Sequence, residues 1–407
     1  MLPKDSGAIL HVLVIELKTI FGHICSMEQR SLSQPPSVQC LWKRPAAAQP
    51  WSTAVSLHSH TLHSREYLDF IPRVMRLAPP AEVLRRILEG IHTRRTGKQI
   101  RYDLVFWRPP LLPRAAYELE AGQIRDLLGL RTLVSITDHD EIEACAELCA
   151  IGIDVPYSLE WTVPYGGTVF HIGVHNLPPE QARNLAAEMD RCRANPTPAL
   201  TRSLLAELDA LHDVLLVLNH PFSNEERVDR ATHVRLLLEF LNRYGHWMHA
   251  FELNGLQPAG DNREVIELAA ERGFPVISGG DRHCREGNAN VNLTNATSFA
   301  AFVDEIRREG MSHVLFLPQY REPIPARYIE FIWHAVQTYP AFPGRERWVD
   351  RVFYHSDEGD VKPLSFVWPS GGPVAVRWFL SAVEFLATPH MRATLRRALG
   401  DQSEIGA

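Results

Sequence analysis

Most apolar runs of this chain end in, or lead into, residues that bind metal ions. The first ends in Leu57-His58-Ser59-His60. In an extended strand residues two apart point the same way, so both imidazoles share one side. The second ends in Ile136-Thr137-Asp138-His139-Asp140, and Glu160 lies in Ser158-Leu159-Glu160-Trp161 just ahead of the third. The third carries His171 and leads to His175; the next ends in Asn219-His220-Pro221, and the last leads into Gly279-Gly280-Asp281-Arg282-His283. One such histidine is ordinary, but a series repeated at strand ends points to a shared metal site. Imidazole and carboxylate donors suit Zn, Mn, Fe or Ni. No thiolate joins them, so a closed structural cysteine site is not indicated. The donors exceed what one ion needs, so two or three divalent ions (Mn, Zn or Fe) sharing a bridging carboxylate are expected. Such a centre can generate a hydroxide and hold the oxygens of a phosphoryl group.

The elements that must position these residues alternate. Apolar runs at Ala54–Leu57, Thr132–Ile136, Thr168–Val174, Val214–Leu218, Ala250–Leu253 and Pro275–Ile277 are separated by helical patterns. These fall at Glu141–Ile151, Pro179–Cys192, Pro198–Leu211, Glu225–Tyr244 and Asn262–Arg272. Strand–helix alternation of this kind predicts an α/β fold with a largely parallel sheet or barrel. Catalytic residues of such barrels collect at the carboxyl ends of the strands.

The 407 residues are 45% hydrophobic and 22% charged, which is globular composition, and the formal net charge of −6 excludes a generally basic nucleic-acid binder. The six cysteines (25, 40, 145, 149, 192, 284) contain no CxxC pair, so a reducing, cytoplasmic setting is expected. The apolar stretch Ala8–Ile15 is too short to span a bilayer. Three regions are read: a Ser/Gln/Pro/Ala-rich arm or linker over 1–50, a metal-binding unit over 51–300, and a mostly helical extension over 301–407 packed on it. Within the middle region, residues 69–131 form an insertion with a helix near Pro80–Thr93. It holds 12 basic and 7 acidic residues, so it is +5 on a body of −11 and suits an anionic substrate.

In combination and in order, these motifs resemble the PHP (polymerase and histidinol phosphatase) family. HSHTLHS (58–64) is similar to its opening motif, ITDHD (136–140) to its second, and SLEW (158–161) to the stretch with a bridging glutamate; VFHIGVH (169–175), NHP (219–221) and GGDRH (279–283) follow. The resemblance covers about residues 52–297. It implies a distorted (β/α)7 barrel with a trinuclear metal centre. His58, His60, Glu160 and Asp281 would hold one ion; Glu160 would bridge to a second held by His171 and His220; a third would use His139 and His283. The remaining ligand departs from the pattern, because Arg65 and Glu66 stand where the family carries Asp or His. Glu66 is the candidate, with His63 a poorer one. Asp138 and His175 are candidate catalytic or supporting residues. Arg285 or an arginine of the insertion is a candidate phosphate clamp, and Arg282 is expected in a salt bridge.

The implied function is a metal-dependent phosphoric ester hydrolase. It would cleave a phosphodiester, a nucleotide or a short oligonucleotide by a metal-activated hydroxide, with no membrane partner. The alternatives are a small-metabolite phosphomonoesterase and a degenerate, non-catalytic module. An amidohydrolase would need a lysine on a later strand, and none of the five lysines lies between 99 and 361.

Overall fold

The computed structural model describes residues 37–68, 72, 79–97, 99–224, 228–355 and 359–401. The stretch Ala8–Ile15 and Cys25 lie outside the described residues. The strands are β1 Ser37–Cys40, β2 Thr53–Ser56, β3 Glu66–Tyr67, β4 Val105–Trp107, β5 Arg131–Val134, β6 Tyr157–Tyr165, β7 Thr168–Leu177, β8 Leu215–Asn219, β9 Ala250–Asn254, β10 Val276–Gly279, β11 Asn290–Thr294, β12 His313–Phe316, β13 Val352–His355 and β14 Val361–Pro363. They form two five-stranded sheets, β1-β12-β11-β2-β5 and β10-β9-β8-β7-β6, and a four-stranded sheet, β14-β13-β4-β3.

The two larger sheets bury their apolar faces against each other. Val55 and Leu57 meet Leu215, Val217, Ala250 and Ile277 in one cluster. Phe299, Phe302, Val303 and Ile306 of the helix Phe299–Arg307 complete it. A second cluster lies outside, between β6–β9 and the helices Pro179–Ala194, Pro198–Ala210, Arg230–Tyr244 and Ala259–Arg272. At their rims the sheets touch through two single parallel bridges, Ser59–Arg282 and His139–Glu160. Among the described residues no continuous ladder closes them, so the fold is mixed α/β and a closed (β/α)7 barrel is not seen.

Several expectations need correction. The sheet is not largely parallel: β6, β7 and β8 run antiparallel, as does β11 against both neighbours. The cause is local. Gly166 and Gly167, at φ 59° and 87°, turn the chain between Tyr165 and its partner Thr168, and two successive positive φ angles suit a tight hairpin. The arm over 1–50 contributes a sheet strand, β1, whose Cys40 is buried. Its four residues carry too little alternation to show in the sequence. Besides its helices, the stretch 301–407 contributes β12 to the same sheet and β13 and β14 to the small one. The insertion packs partly into the core. Its helix Pro113–Leu128 buries Ala116, Glu120, Ala121 and Ile124, while Val83, Ile87 and Ile91 of the helix Pro79–Thr96 are exposed.

Candidate metal centre

The polar residues gather on one rim of the facing sheets, in three overlapping groups. In the first, His58 Nε2 lies 3.0 Å from Glu160 Oε2 and 3.5 Å from Asp281 Oδ1. His60 Nε2 lies 3.4 and 3.5 Å from the same two oxygens. In the second, the other Glu160 oxygen is 3.0 Å from His220 Nε2 and 3.5 Å from His171 Nδ1. In the third, Glu66 Oε2 is 3.4 Å from His139 Nε2 and 3.2 Å from His283 Nε2. His139 Nδ1 returns to Glu160 at 3.4 Å, so Glu160 touches all three groups. Four sets of side chains here have donor atoms close enough together to share an ion.

The chain contributes these donors at strained positions. His58, His220 and Asp281 have φ of 60°, 26° and 49°, as Asp140 does at 54°. Positive φ is rare for residues with a side chain, and such strain concentrates at functional sites. The electrostatics agree. Burial alone would raise the Glu160 carboxyl, but His58, His139 and His171 hold it well below its usual range. Burial likewise opposes the charged forms of His220 and His283, yet Glu160 raises the first and Glu66 the second to about 9. His60 is lowered to about 3 by burial and by His283. Its Nε2 is buried with no hydrogen-bond partner, between the Glu160 and Asp281 oxygens. A lone pair so placed fits a cation, and the surrounding imidazoles and carboxylates suit a divalent one.

All nine proposed ligands are thus brought together: His58, His60, Glu66, His139, Glu160, His171, His220, Asp281 and His283. Glu66 reaches the third group because β3 pairs it with Trp107 and turns its side chain to His139 and His283. His63 points away, 2.9 Å from Glu147. The two further candidates stand apart from the ligands. Asp138 accepts hydrogen bonds from the Thr61 amide and hydroxyl, at 2.5 and 2.7 Å, so both oxygens hold the opening loop in place. Its carboxyl is raised to about 6, chiefly by burial. His175 shares a face with His171, but four residues of strand carry it about 13 Å along β7. It lies inside the sheets, 2.9 Å from Ser135 Oγ and beside Phe299. Arg282 forms the expected salt bridge, 2.8 Å to Glu120. Arg285 stacks on Tyr339. Cys145 and Cys149 donate to backbone carbonyls.

Sequence reading missed the supporting layer. Glu252 lies 2.5 Å from His58 Nδ1 and accepts the His220 amide at 2.8 Å. The Asn219 and Asn254 side chains donate to Glu160 and Asp281, both at 3.0 Å. Glu252 was signalled by its place in Ala250-Phe251-Glu252-Leu253-Asn254, an acid inside an apolar strand. The outer wall had no such signal: Trp107 and Phe331 stand 6.2 and 5.9 Å from the His283 ring, one from the insertion and one from the extension.

No family model and no curated protein matches the chain. Solved structures match it over part of its length. One, from Bifidobacterium adolescentis, whose description names a metal-dependent phosphoesterase, shares 14% identity, covers 48% of this chain and 91% of its own, and has a TM-score of 0.30. Another, an amidohydrolase from Chromobacterium violaceum with bound sulfate and no metal, shares 15% identity over 57% of this chain and 87% of its own, with a TM-score of 0.29. Similarity this low carries no functional weight, and the site stands on its own side chains.

Proposed function

We propose that the chain is a metal-dependent phosphoesterase of the PHP type, its two large sheets being the halves of a distorted (β/α)7 barrel. The observation that carries this reading is the convergence of nine buried or half-buried donor residues on one rim, with Glu160 among them touching all three groups. His58, His60, Glu160 and Asp281 would hold one ion, Glu160, His171 and His220 a second, and Glu66, His139 and His283 a third. Bound divalent ions would polarise the phosphoryl oxygens and lower the pKa of a water molecule. The chain's own part is positional. Glu252 fixes His58 through Nδ1, leaving Nε2 directed at Glu160. Asn219 and Asn254 fix the carboxylates, and Asp138 pins Thr61 beside His60. Trp107 and Phe331 screen His283 from solvent on one side. The favoured substrates are a phosphodiester, a nucleotide or a short oligonucleotide; a phosphomonoester is the alternative.

The test is hydrolysis of a generic phosphodiester and a generic phosphomonoester by the Mn²⁺-loaded protein, with bound metal measured in parallel. His60→Ala and Asp281→Ala are expected to lose at least one metal equivalent and to lower turnover a hundredfold or more. Diester turnover supports the favoured class and monoester turnover alone the alternative. Full activity in either variant, or no turnover of any phosphoester by the metal-loaded parent, overturns the reading.

A further inference from the structure

Three arginines surround one aromatic pair on the small sheet beside the candidate centre. Phe106 of β4 and Phe353 of β13 stack with centroids 5.4 Å apart. The Arg65 guanidinium lies 5.8 Å from the Phe106 ring centroid, and those of Arg108 and Arg345 lie 5.8 and 5.7 Å from that of Phe353. They come from three regions: the loop after the opening motif, the insertion and the extension. No ion pair joins any of them to a carboxylate among the described residues. By contrast Arg85, Arg86 and Arg114 of the same insertion each pair with a glutamate. Arg108 is half-buried and donates to the Leu62 carbonyl at 3.1 Å. Arg345 Nη1 is buried without an acceptor. Burial, Arg345 and Arg65 all act against the Arg108 charge, and Asp138 and Glu141 only partly offset them.

Like charges crowded on apolar rings and lacking a counter-charge are costly unless an anion completes them. Guanidinium donors match phosphate oxygens bidentately. The cluster is also one residue from the centre at two points. Arg65 precedes Glu66, which contacts His139 and His283, and Arg108 follows Trp107, which faces His283.

We infer that Arg65, Arg108 and Arg345 form a subsite for a second phosphate of the substrate, next to the phosphate held at the metal centre. This deepens the phosphoesterase reading and rests on it. The substrate class is then a molecule with at least two neighbouring phosphates, from a nucleotide or from a short nucleic-acid strand. A lone phosphomonoester would leave the subsite unused.

The test is calorimetric titration of the full chain, stripped of metal, with inorganic pyrophosphate. The parent is expected to bind saturably at one site. Arg108→Gln and Arg345→Gln should each weaken binding tenfold or more, and raised salt should weaken the parent more than either variant. Arg65→Gln, at an exposed side chain, should weaken binding in the same direction. Thermal melts check that the variants remain folded. Titration with a nucleoside diphosphate and with a trinucleotide separates the sources, the tighter ligand naming the one used. Absence of saturable binding by the parent, or equal affinity in parent and all three variants, overturns the inference. Because no metal is present, this outcome is independent of the hydrolysis test. Pyrophosphate binding without hydrolysis would fail only the phosphoesterase reading, and hydrolysis without pyrophosphate binding would fail only the subsite.

Discussion

Glu252 commits both carboxylate oxygens, one to the His58 ring and one to the His220 amide. A partner of this kind fixes the tautomer and direction of an imidazole and is worth 10–100-fold in metal affinity. Glu252→Gln is therefore expected to bind Mn²⁺ about tenfold or more weakly in a competitive chelator titration, with its melting temperature in the metal-free state little changed. The same carboxylate explains Gly279. A β-carbon there would overlap the Glu252 carboxylate, so Gly279→Ala should displace it. The expected cost is about 1–3 kcal/mol, read from the urea midpoint. His175 gives a pH signature. Burial lowers its pKa to about 3, below the unfolded value of about 6.5. Between those values the unfolded chain binds the proton and the folded chain does not. Its contribution to stability is complete above pH 6.5 and is lost as the pH falls toward 3. Unfolding by urea from pH 7.5 to 4.5 should show a steeper acid loss in the parent than in His175→Gln, by up to about 1.4 kcal/mol per pH unit. An identical slope in both would refute the assignment. Eight of the nine candidate ligands stand out in the sequence because histidine and carboxylate beside apolar runs are conspicuous, whereas Glu66 is reached only through the family pattern. The depth of His175 was not legible, because parity gives the face of a strand and not the direction in which it runs.

At the scale of elements, the helix Pro113–Leu128 locks the last motif to the sheet through one carboxylate. Glu120 accepts from Arg282 at 2.8 Å, from Ser56 at 2.7 Å and from Asn288 at 3.0 Å. All four side chains are buried. Glu120→Ala would leave the Arg282 charge in the interior with no counter-charge. Breaking a buried pair from one side costs about 3–5 kcal/mol. The chemical-denaturation midpoint should fall accordingly with the slope unchanged, and a loss below about 1 kcal/mol would show that the pair does not anchor the helix. Expected helices appear close to their predicted ends, Pro179–Ala194 and Pro198–Ala210 among them. Their apolar spacing and flanking prolines are strong local signals. The strands did worse. β3, β4 and β14 have two or three residues each, too few for any alternation to register. β6 was hidden because its residues 158–161 read first as a motif, although the two glycines after Tyr165 mark a hairpin.

At the scale of the whole molecule, the insertion and the extension are one structure. β3 and β4 follow the opening motif, β13 and β14 come from the far end of the chain, and together they make the small sheet. β3 is its edge strand and carries Glu66. Glu66 is thus held in reach of His139 and His283 by the Ser64 hydroxyl, which donates to its carboxylate at 2.6 Å, and by β4, itself held by β13, where Phe353 pairs with Phe106 and the Arg108 amide donates to the Arg351 carbonyl at 2.9 Å. No local pattern in the sequence could announce a dependence between residues 66 and 353. It follows that damage to β13 should be felt at the candidate metal centre. Proline removes a ladder donor and is confined to edges and bulges, and β13 is interior to the small sheet. Phe353→Pro is expected to free β4 and β3 and loosen Glu66, while the donors on the two large sheets stay in place. The variant should then bind fewer metal equivalents than the parent, with His58, His60, Glu160 and Asp281 still occupied. Metal analysis after exhaustive dialysis reads the stoichiometry, and a melting transition close to the parent's shows that the large sheets remain folded. Parental stoichiometry in a folded Phe353→Pro chain would mean that Glu66 is held by the opening loop alone, and that the small sheet serves the substrate rather than the metals.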